Sequence, residues 1–222
     1  MGVLLMLMTA GVILAAVILL VASLVARKAW LAKFTLGGTA VWLGFYAVML
    51  IGVSLMSNDN FLSVNEPKAY CGFYIDCHMH SVVTGVRTVK NIGDQTAKGL
   101  FYIVNVKVFS DAKNPNISLR LLDPKAVVKD EHDIRYQRRI EAENLLPTGT
   151  VDLGANIHSN ETVEKELVFD LPLDVREPRL DMREGWGVDH FIEAVLIGDE
   201  DSIFHKRNYF KIQEQSVAWG VN

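Results

Sequence analysis

Residues 1–56 read MGVLLMLMTAGVILAAVILLVASLVARKAWLAKFTLGGTAVWLGFYAVMLIGVSLM, and their only charged side chains are Arg27, Lys28 and Lys33. These cations separate two apolar runs, each longer than 20 residues. A helix of about 20 residues crosses the roughly 30 Å hydrocarbon core of a bilayer. Because backbone polar groups in lipid must be bonded within their own segment, the stretch predicts a transmembrane hairpin of two helices.

The charges of this hairpin predict its orientation. Lys and Arg near the ends of a span stay on the cytoplasmic side, so the basic turn is expected inside and both termini outside. A cleaved signal peptide is the competing interpretation of the first run. Such a peptide needs a positive leading region and a small-residue cleavage site. The first three residues carry no charge and the basic turn offers no such site, so we predict a retained helix.

The rest of the chain differs sharply in composition from the hairpin. Of 22 basic and 26 acidic residues, only three basic ones precede Asp59, which leaves the outer part with a net charge of −7. An acidic surface argues against nucleic acid as a partner and against adsorption to anionic lipid. The predicted organisation is a hairpin at 1–56, a linker at 57–69, a β-sandwich domain at 70–213 and a tail at 214–222.

Period-two alternation of apolar residues predicts the strands of the outer domain. Residues 135–146 allow a short helix instead. Short strands separated by turns are typical of an antiparallel sandwich, and no long helical pattern alternates with them as a parallel sheet requires. The strands are predicted at 73–80, 99–109, 117–122, 126–129, 162–171, 191–197 and 209–212, of which 99–109 is apolar on both faces and therefore central.

Three stretches of the outer domain carry a family resemblance. They are GLFYIVNVKV from Gly99, VFDLP from Val168 and IGDEDSIFH from Ile197. Together they resemble the telokin-like, immunoglobulin-like domains of unknown function that occur on the exteriors of bacterial membrane-anchored proteins and lipoproteins. The resemblance covers roughly residues 70–212, and it implies an immunoglobulin-like fold and an extracytoplasmic location but no activity.

The layout of hairpin followed by exported sandwich is similar to subunit II of haem-copper oxidases. That family binds two copper ions through two Cys, a His and a Met near the C-terminus. This chain has no such pattern, and its C-terminal region has no Cys. The similarity therefore implies a shared arrangement of hairpin and sandwich, and it implies no copper site.

The densest group of potential metal ligands is Cys71, Cys77, His78 and His80. Thiolates and imidazoles suit copper or zinc. On a regular strand, however, Cys77 faces away from the two imidazoles. A disulfide closing a loop, or two separate thiols, are the structural alternatives, and a disulfide requires the chain to fold back between the two cysteines. We predict no metal site and no cofactor.

Further candidates concern partners rather than chemistry. Small residues at helical spacing allow close helix packing in lipid, and polar-tipped aromatics at depth need a bonding partner. The pairs Gly11 with Ala15 and Ala40 with Gly44 have that spacing, whereas residues 199–201 are interpreted as a solvated acidic turn rather than a calcium loop. The predicted partner-contact residues are Ala40, Gly44, Trp42, Tyr46, Trp186 and Trp219.

These patterns favour a non-enzymatic protein, because no nucleophile elbow, phosphate loop or zinc-protease motif is present. The favoured hypothesis is an accessory subunit in the bacterial inner membrane, bound to the integral subunits of a bioenergetic assembly such as a respiratory oxidase or a photosynthetic reaction centre. The alternatives are a copper or electron-transfer module on the Cys and His cluster, and a free-standing exterior module that binds a ligand or partner.

Overall fold

A computed structural model describes residues 2–72 and 76–213, which divide into two compact units. The helical unit comprises Met1–Asp59 and Gly187–Arg207, and the sheet unit comprises Asn60–Trp186 and Asn208–Asn222. This division differs from the predicted domains at two places. Part of the predicted linker belongs to the sheet unit, and a piece of the predicted sandwich belongs to the helical unit.

The helical unit is built on α1 (Gly2–Val25) and α2 (Ala29–Met56), both long and apolar enough to cross a membrane. The buried residues of α1 are Thr9, Ala16 and Ser23. Their spacing of seven puts them on one face of the helix, and α1 packs on α2. The predicted pairs Gly11 with Ala15 and Ala40 with Gly44 are exposed instead, so other small residues make the close contact between the two helices.

The sheet unit contains two main sheets and a short ribbon. One sheet has the order β1-β11-β10-β6-β7, the second β2-β3-β4-β9, and the ribbon joins β5 to β8. A single turn of helix, α3 (Ile140–Glu143), follows β7. The strands are β1 Asn60–Leu62, β2 Lys68–Gly72, β3 Asp76–Ile92, β4 Gln95–Ser110, β5 Ser118–Leu119, β6 Lys125–Lys129, β7 Arg135–Gln137, β8 Ile157–His158, β9 Thr162–Leu171, β10 Arg179–Arg183 and β11 Asn208–Lys211.

Long apolar strands form the centre of the second sheet. β4 lies between β3 and β9, as its two apolar faces predict, and its pairing with β9 runs from Leu100 opposite Leu171 to Phe109 opposite Thr162. The predicted strand 162–171 is confirmed with the same bounds.

The core lies between the two sheets. Val104, Leu167 and Phe169 of one sheet belong to the same buried cluster as Leu180 and Phe210 of the other. Burying such side chains stabilises the fold by roughly 1.5–3 kcal/mol each before conformational entropy is subtracted. A β-sandwich following two apolar helices, as predicted, is therefore the architecture of the chain.

Several predicted elements were wrong in detail. Residues 191–197 are not a strand, because the apolar residues from Val188 to Val195 recur at helical spacing and form α4 (Gly187–Val195). Residues 76–80 of the strand predicted at 73–80 lie in β3, and residues 73–75 lie outside the described part of the chain. The predicted linker contains β1, which pairs with β11 in parallel and so departs from a purely antiparallel sandwich. β10 was not predicted.

Candidate functional site

The helical unit is completed by residues 187–207, here called the outer segment. It begins with α4 and returns through a series of turns to Arg207. The Tyr46 hydroxyl of α2 donates a hydrogen bond of 2.6 Å to the Val195 carbonyl, and the Ser54 and Ser202 hydroxyls lie 3.2 Å apart. The segment is thus bound along the second half of α2.

The outer segment covers the part of α2 that α1 does not reach. The Trp42 indole N–H donates to the Thr9 hydroxyl at 3.1 Å, which fixes the register of the antiparallel helices. Gly2, seven residues before Thr9, is therefore level with Met49, seven residues after Trp42. At about 1.5 Å per residue, α2 continues about 10 Å farther. Ser54 is nevertheless fully buried, because the outer segment packs there.

The first turn of α1 also meets the outer segment. Gly2 has no room for a side chain, since an added carbon would collide with the Ile197 carbonyl. Two backbone bonds extend the contact along the end of α2, from the Lys206 N–H to the Ser57 hydroxyl (2.8 Å) and from the Arg207 N–H to the Asp59 carboxylate (3.1 Å). The outer segment therefore contacts both helices.

The turn at 199–201, predicted to be solvated, is partly buried in this unit. Burial raises the pKa of Asp199 to about 6, although its carboxylate accepts a hydrogen bond from the Asp201 N–H. Burial also raises the pKa of Glu193, whose carboxylate lies 3.0 Å from His190 Nδ1. Arg207 pairs with Asp201 at 2.8 Å. The outer segment thus carries carboxyl groups that resist ionisation in the folded state.

We expect the protection of the outer segment against amide hydrogen exchange to depend on pH, because Asp199 ionises as the pH rises. Its folded pKa of about 6 exceeds the ordinary value of 3.8, so its stabilising contribution is complete below about pH 4 and is lost as the pH rises through about 6. Asp199→Asn should increase the protection of residues 187–207 at pH 7.5. It should also reduce the difference in their protection between pH 5 and pH 7.5. Hydrogen exchange, corrected for intrinsic rates, measures both.

The matched control for that experiment is Asp94→Asn, which removes an exposed carboxylate in the sheet unit. Its exchange profile over residues 187–207 should equal that of the unchanged protein at both pH values. If Asp199→Asn has the same exchange profile as the unchanged protein at both pH values, burial of this carboxyl does not limit the stability of residues 187–207.

Apolar side chains on the outer segment remain uncovered. Val188 and Phe191 of α4 are 72% and 73% exposed, and Phe204 is 66% exposed. Patches of this kind mark surfaces that meet another molecule or a membrane. They lie in the same unit as the exposed apolar side chains of α2, among them Val48 and Leu55.

The predicted partner-contact aromatics of α2 have partners within the chain. Trp42 bonds to Thr9 and Tyr46 to Val195, so their polar groups require no second subunit. Ala40 and Gly44 lie on the opposite side of the helix, since a two-residue offset turns it by about 200°. Both are exposed, and an added carbon at Gly44 would meet nothing within 4 Å.

The two remaining tryptophans have different positions. Trp186 belongs to the sheet unit, is 60% exposed and lines a cavity of about 370 Å³ with Arg120 and Asp152. Trp219 lies outside the described residues.

The cysteine and histidine cluster is divided between a disulfide and an ion pair. Cys71 and Cys77 form a disulfide across the β2–β3 hairpin, which is the fold-back that the spacing required. The His78 Nδ1–H donates to Asp111 at 2.6 Å and lowers the pKa of that carboxyl, and His80 lies 3.3 Å from its other oxygen. The disulfide engages both sulfur atoms, so Cys71 and Cys77 offer no thiolate beside His78 and His80 in this structure.

Sequence reasoning missed the outer segment as a structural element of the helical unit. One signal was available, namely the helical spacing of Val188, Phe191, Ile192 and Val195 directly after Gly187. No local signal connects this helix with α2, which lies about 150 residues earlier in the chain, as the separation of 149 between Tyr46 and Val195 shows.

No protein-family model matches the sequence, and no curated protein sequence is similar to it. Several solved structures are similar to part of this chain. A secreted protein of Mycobacterium tuberculosis, MPT63, is 12% identical over 58% of this chain and 92% of its own, with a TM-score of 0.40. The YjhA protein of Bacillus subtilis is 18% identical over 68% and 99%, with a TM-score of 0.42. An uncharacterised β-sandwich protein of Clostridium difficile is 11% identical over 71% and 96%, with a TM-score of 0.39.

Proposed function

We propose that this protein is a non-enzymatic accessory subunit of a multisubunit membrane complex. The observation that carries the proposal is the outer segment. A simple tether needs only a span, whereas here residues 187–207 return to the hairpin and bond to α2 at Tyr46 and Ser54. Such a unit has a defined outer surface that suits docking.

The exposure of the two helices supports membrane insertion. Few residues of α1 and α2 are buried, whereas the core helix of a soluble protein is mostly buried. The apolar surface that remains matches what lipid or the spans of other subunits would cover. The contacts of α1 with α2 through Thr9 and with Ile197 through Gly2 favour a retained helix over a removed signal peptide.

Two observations support an extracytoplasmic sandwich, which we propose to be immunoglobulin-like and to face the periplasm of a bacterial inner membrane. The three basic residues of the hairpin lie in or near its turn, which supports a cytoplasmic position for that turn. The disulfide between Cys71 and Cys77 suits an oxidising compartment.

The outer segment would then lie at the outer boundary of the bilayer. Its contact with the first turn of α1 is level with about Met49, where the two-helix span ends. Val188, Phe191 and Phe204 would contact the interfacial region of the lipid, where apolar and aromatic side chains are stable. The acidic turn would remain at the level of the headgroups.

The surface that we propose to bind other subunits is the face of α2 that carries Ala40 and Gly44. No residue of the described chain fills the space at Gly44. In lipid, helices associate by close packing rather than by the hydrophobic effect, and small residues allow that packing. Respiratory oxidases and photosynthetic reaction centres are the kind of host that this architecture suits.

Gly44→Leu should abolish co-purification of the partner subunits while leaving insertion and the sandwich intact. The added side chain meets nothing in this chain but would prevent close approach of a partner helix. Native mass spectrometry of the complex, extracted in mild detergent from its source membrane, measures the loss.

Gly38→Leu is the matched control, because Gly38 is also exposed and open but lies about 120° around the helix from Gly44. It should retain the partners. An unchanged protein that runs alone as a monomer in mild detergent would contradict the accessory role and favour the exterior binding module.

A further inference from the structure

A cleft opens at one side of the sandwich, between the edges of the two main sheets. β7 is the last strand of one sheet and β9 the last strand of the other. Arg138 and Phe169 form a single bridge between these edges. Beyond the bridge the edges no longer pair, and the space between them is a cavity of about 660 Å³. We call it the edge cleft, and its volume lies within the range of small-ligand sites.

The edge cleft combines apolar walls with cations. Tyr136, Pro172 and Leu173 line it, and Leu173 is 75% exposed. Lys98 and Arg135 also line it. No described carboxylate pairs with either of these two cations, although the chain after the hairpin has a net charge of −7.

Not every charged group of the edge cleft is available to a ligand. Arg138 donates two hydrogen bonds to Glu143, so it forms a fixed wall. Asp170 is the one carboxylate in the lining, and its two oxygens accept the N–H groups of Lys98 and Gly99 at 2.9 and 3.0 Å. Arg139 lies 4.0 Å from the exposed Glu141 and retains most of its hydrogen-bonding capacity.

We infer that the edge cleft binds a small organic anion, one in which a phosphate, sulfate or carboxylate group is joined to an apolar body. Lys98, Arg135 and Arg139 would bind the anionic group, and Arg is suited to bidentate recognition of such groups. Tyr136, Pro172 and Leu173 would contact the apolar body. This inference is independent of the proposed accessory role, because it concerns the sheet unit alone.

Hexyl phosphate is the probe for this site, with hexanol as its uncharged counterpart. The full chain in nanodiscs of zwitterionic lipid should bind hexyl phosphate in saturation-transfer NMR, and hexanol should bind at least about tenfold more weakly. The double variant Arg135→Gln/Arg139→Gln should raise the Kd for hexyl phosphate about tenfold or more, because it removes two charge-assisted contacts.

Two further variants keep the experiment informative. Leu173→Glu leaves the cations intact but places a carboxylate at the mouth of the edge cleft, and it should also weaken binding. Lys113→Gln/Lys211→Gln removes the same charge from exposed positions elsewhere in the sheet unit and should leave the Kd unchanged.

Nanodiscs containing phosphatidic acid distinguish the two sources of such an anion. Competition with hexyl phosphate supports the inference with a lipid as the ligand, and absence of competition supports it with a soluble ligand. The inference would be overturned if hexanol bound as tightly as hexyl phosphate. It would also be overturned if Lys113→Gln/Lys211→Gln weakened the binding of hexyl phosphate as much as Arg135→Gln/Arg139→Gln.

Discussion

A membrane-impermeant maleimide added to spheroplasts is expected to label a cysteine placed at Lys113 and to leave one at Ala29 unmodified. Lys113 lies in an exposed loop of the sheet unit, and Ala29 begins α2 directly after the basic turn. The orientation that we propose places that turn in the cytoplasm, so the difference between the two sites should be nearly complete. The chain has two cysteines, both in the disulfide, so the unchanged protein provides a clean background.

Permeabilised cells supply the control, because the Ala29 site should then be labelled as well. The opposite pattern in intact spheroplasts would reverse the orientation and remove the basis for an extracytoplasmic sandwich. Labelling of both sites in intact spheroplasts would place the basic turn outside and contradict the hairpin itself.

Arg138→Ala is expected to lower the free energy of unfolding of the sandwich by about 3–5 kcal/mol. The side chain of Glu143 is only 1% exposed, and Arg138 donates hydrogen bonds of 2.9 and 2.5 Å to it. The variant leaves a buried carboxylate without that cation. Urea unfolding of the full chain, followed by circular dichroism of the sheet signal, measures the loss.

Two comparisons separate this effect from ordinary truncation. Arg138→Met/Glu143→Leu removes both charges and should recover most of the lost stability, since buried ion pairs are often replaceable by apolar side chains. Arg87→Ala breaks an ion pair with Glu166 in which the arginine side chain is 49% exposed, and it should cost less than about 1 kcal/mol. Equal losses for Arg138→Ala and Arg87→Ala would contradict the role of burial.

The parts of the fold that could be predicted from sequence are those in which local pattern and burial agree. β9 has its predicted bounds because the apolar residues Val163, Leu167 and Phe169 lie on one face of the strand, and Pro172 follows its last residue. β4 was identified as central because both its faces are apolar, and it has a partner on each side. The two apolar helices were evident from length and composition alone.

The parts that were missed depend on partners that are distant in sequence. β10 contains Asp181, a charged residue that is stable in a sheet interior only because Lys129 and Arg183 pair with it. The edge cleft likewise requires the edges of two different sheets to converge. The helix α4 was mistaken for a strand because the choice between alternation and helical spacing is poorly determined in nine residues.

The contacts between the outer segment and α2 also have a consequence for the order of folding. The Ser54–Ser202 pair joins residues 148 positions apart, with most of the sheet unit between them in the chain. Chains fold as they are synthesised, beginning with the N-terminal part, and contacts of large sequence separation form late. In the topology that we propose, the hairpin would enter the membrane with the end of α2 uncovered, and residues 187–207 would cover it only after nearly the whole protein had been translated and exported. Chains that stop before residue 187 would leave Ser54 of α2 uncovered, because the segment that buries it would be missing.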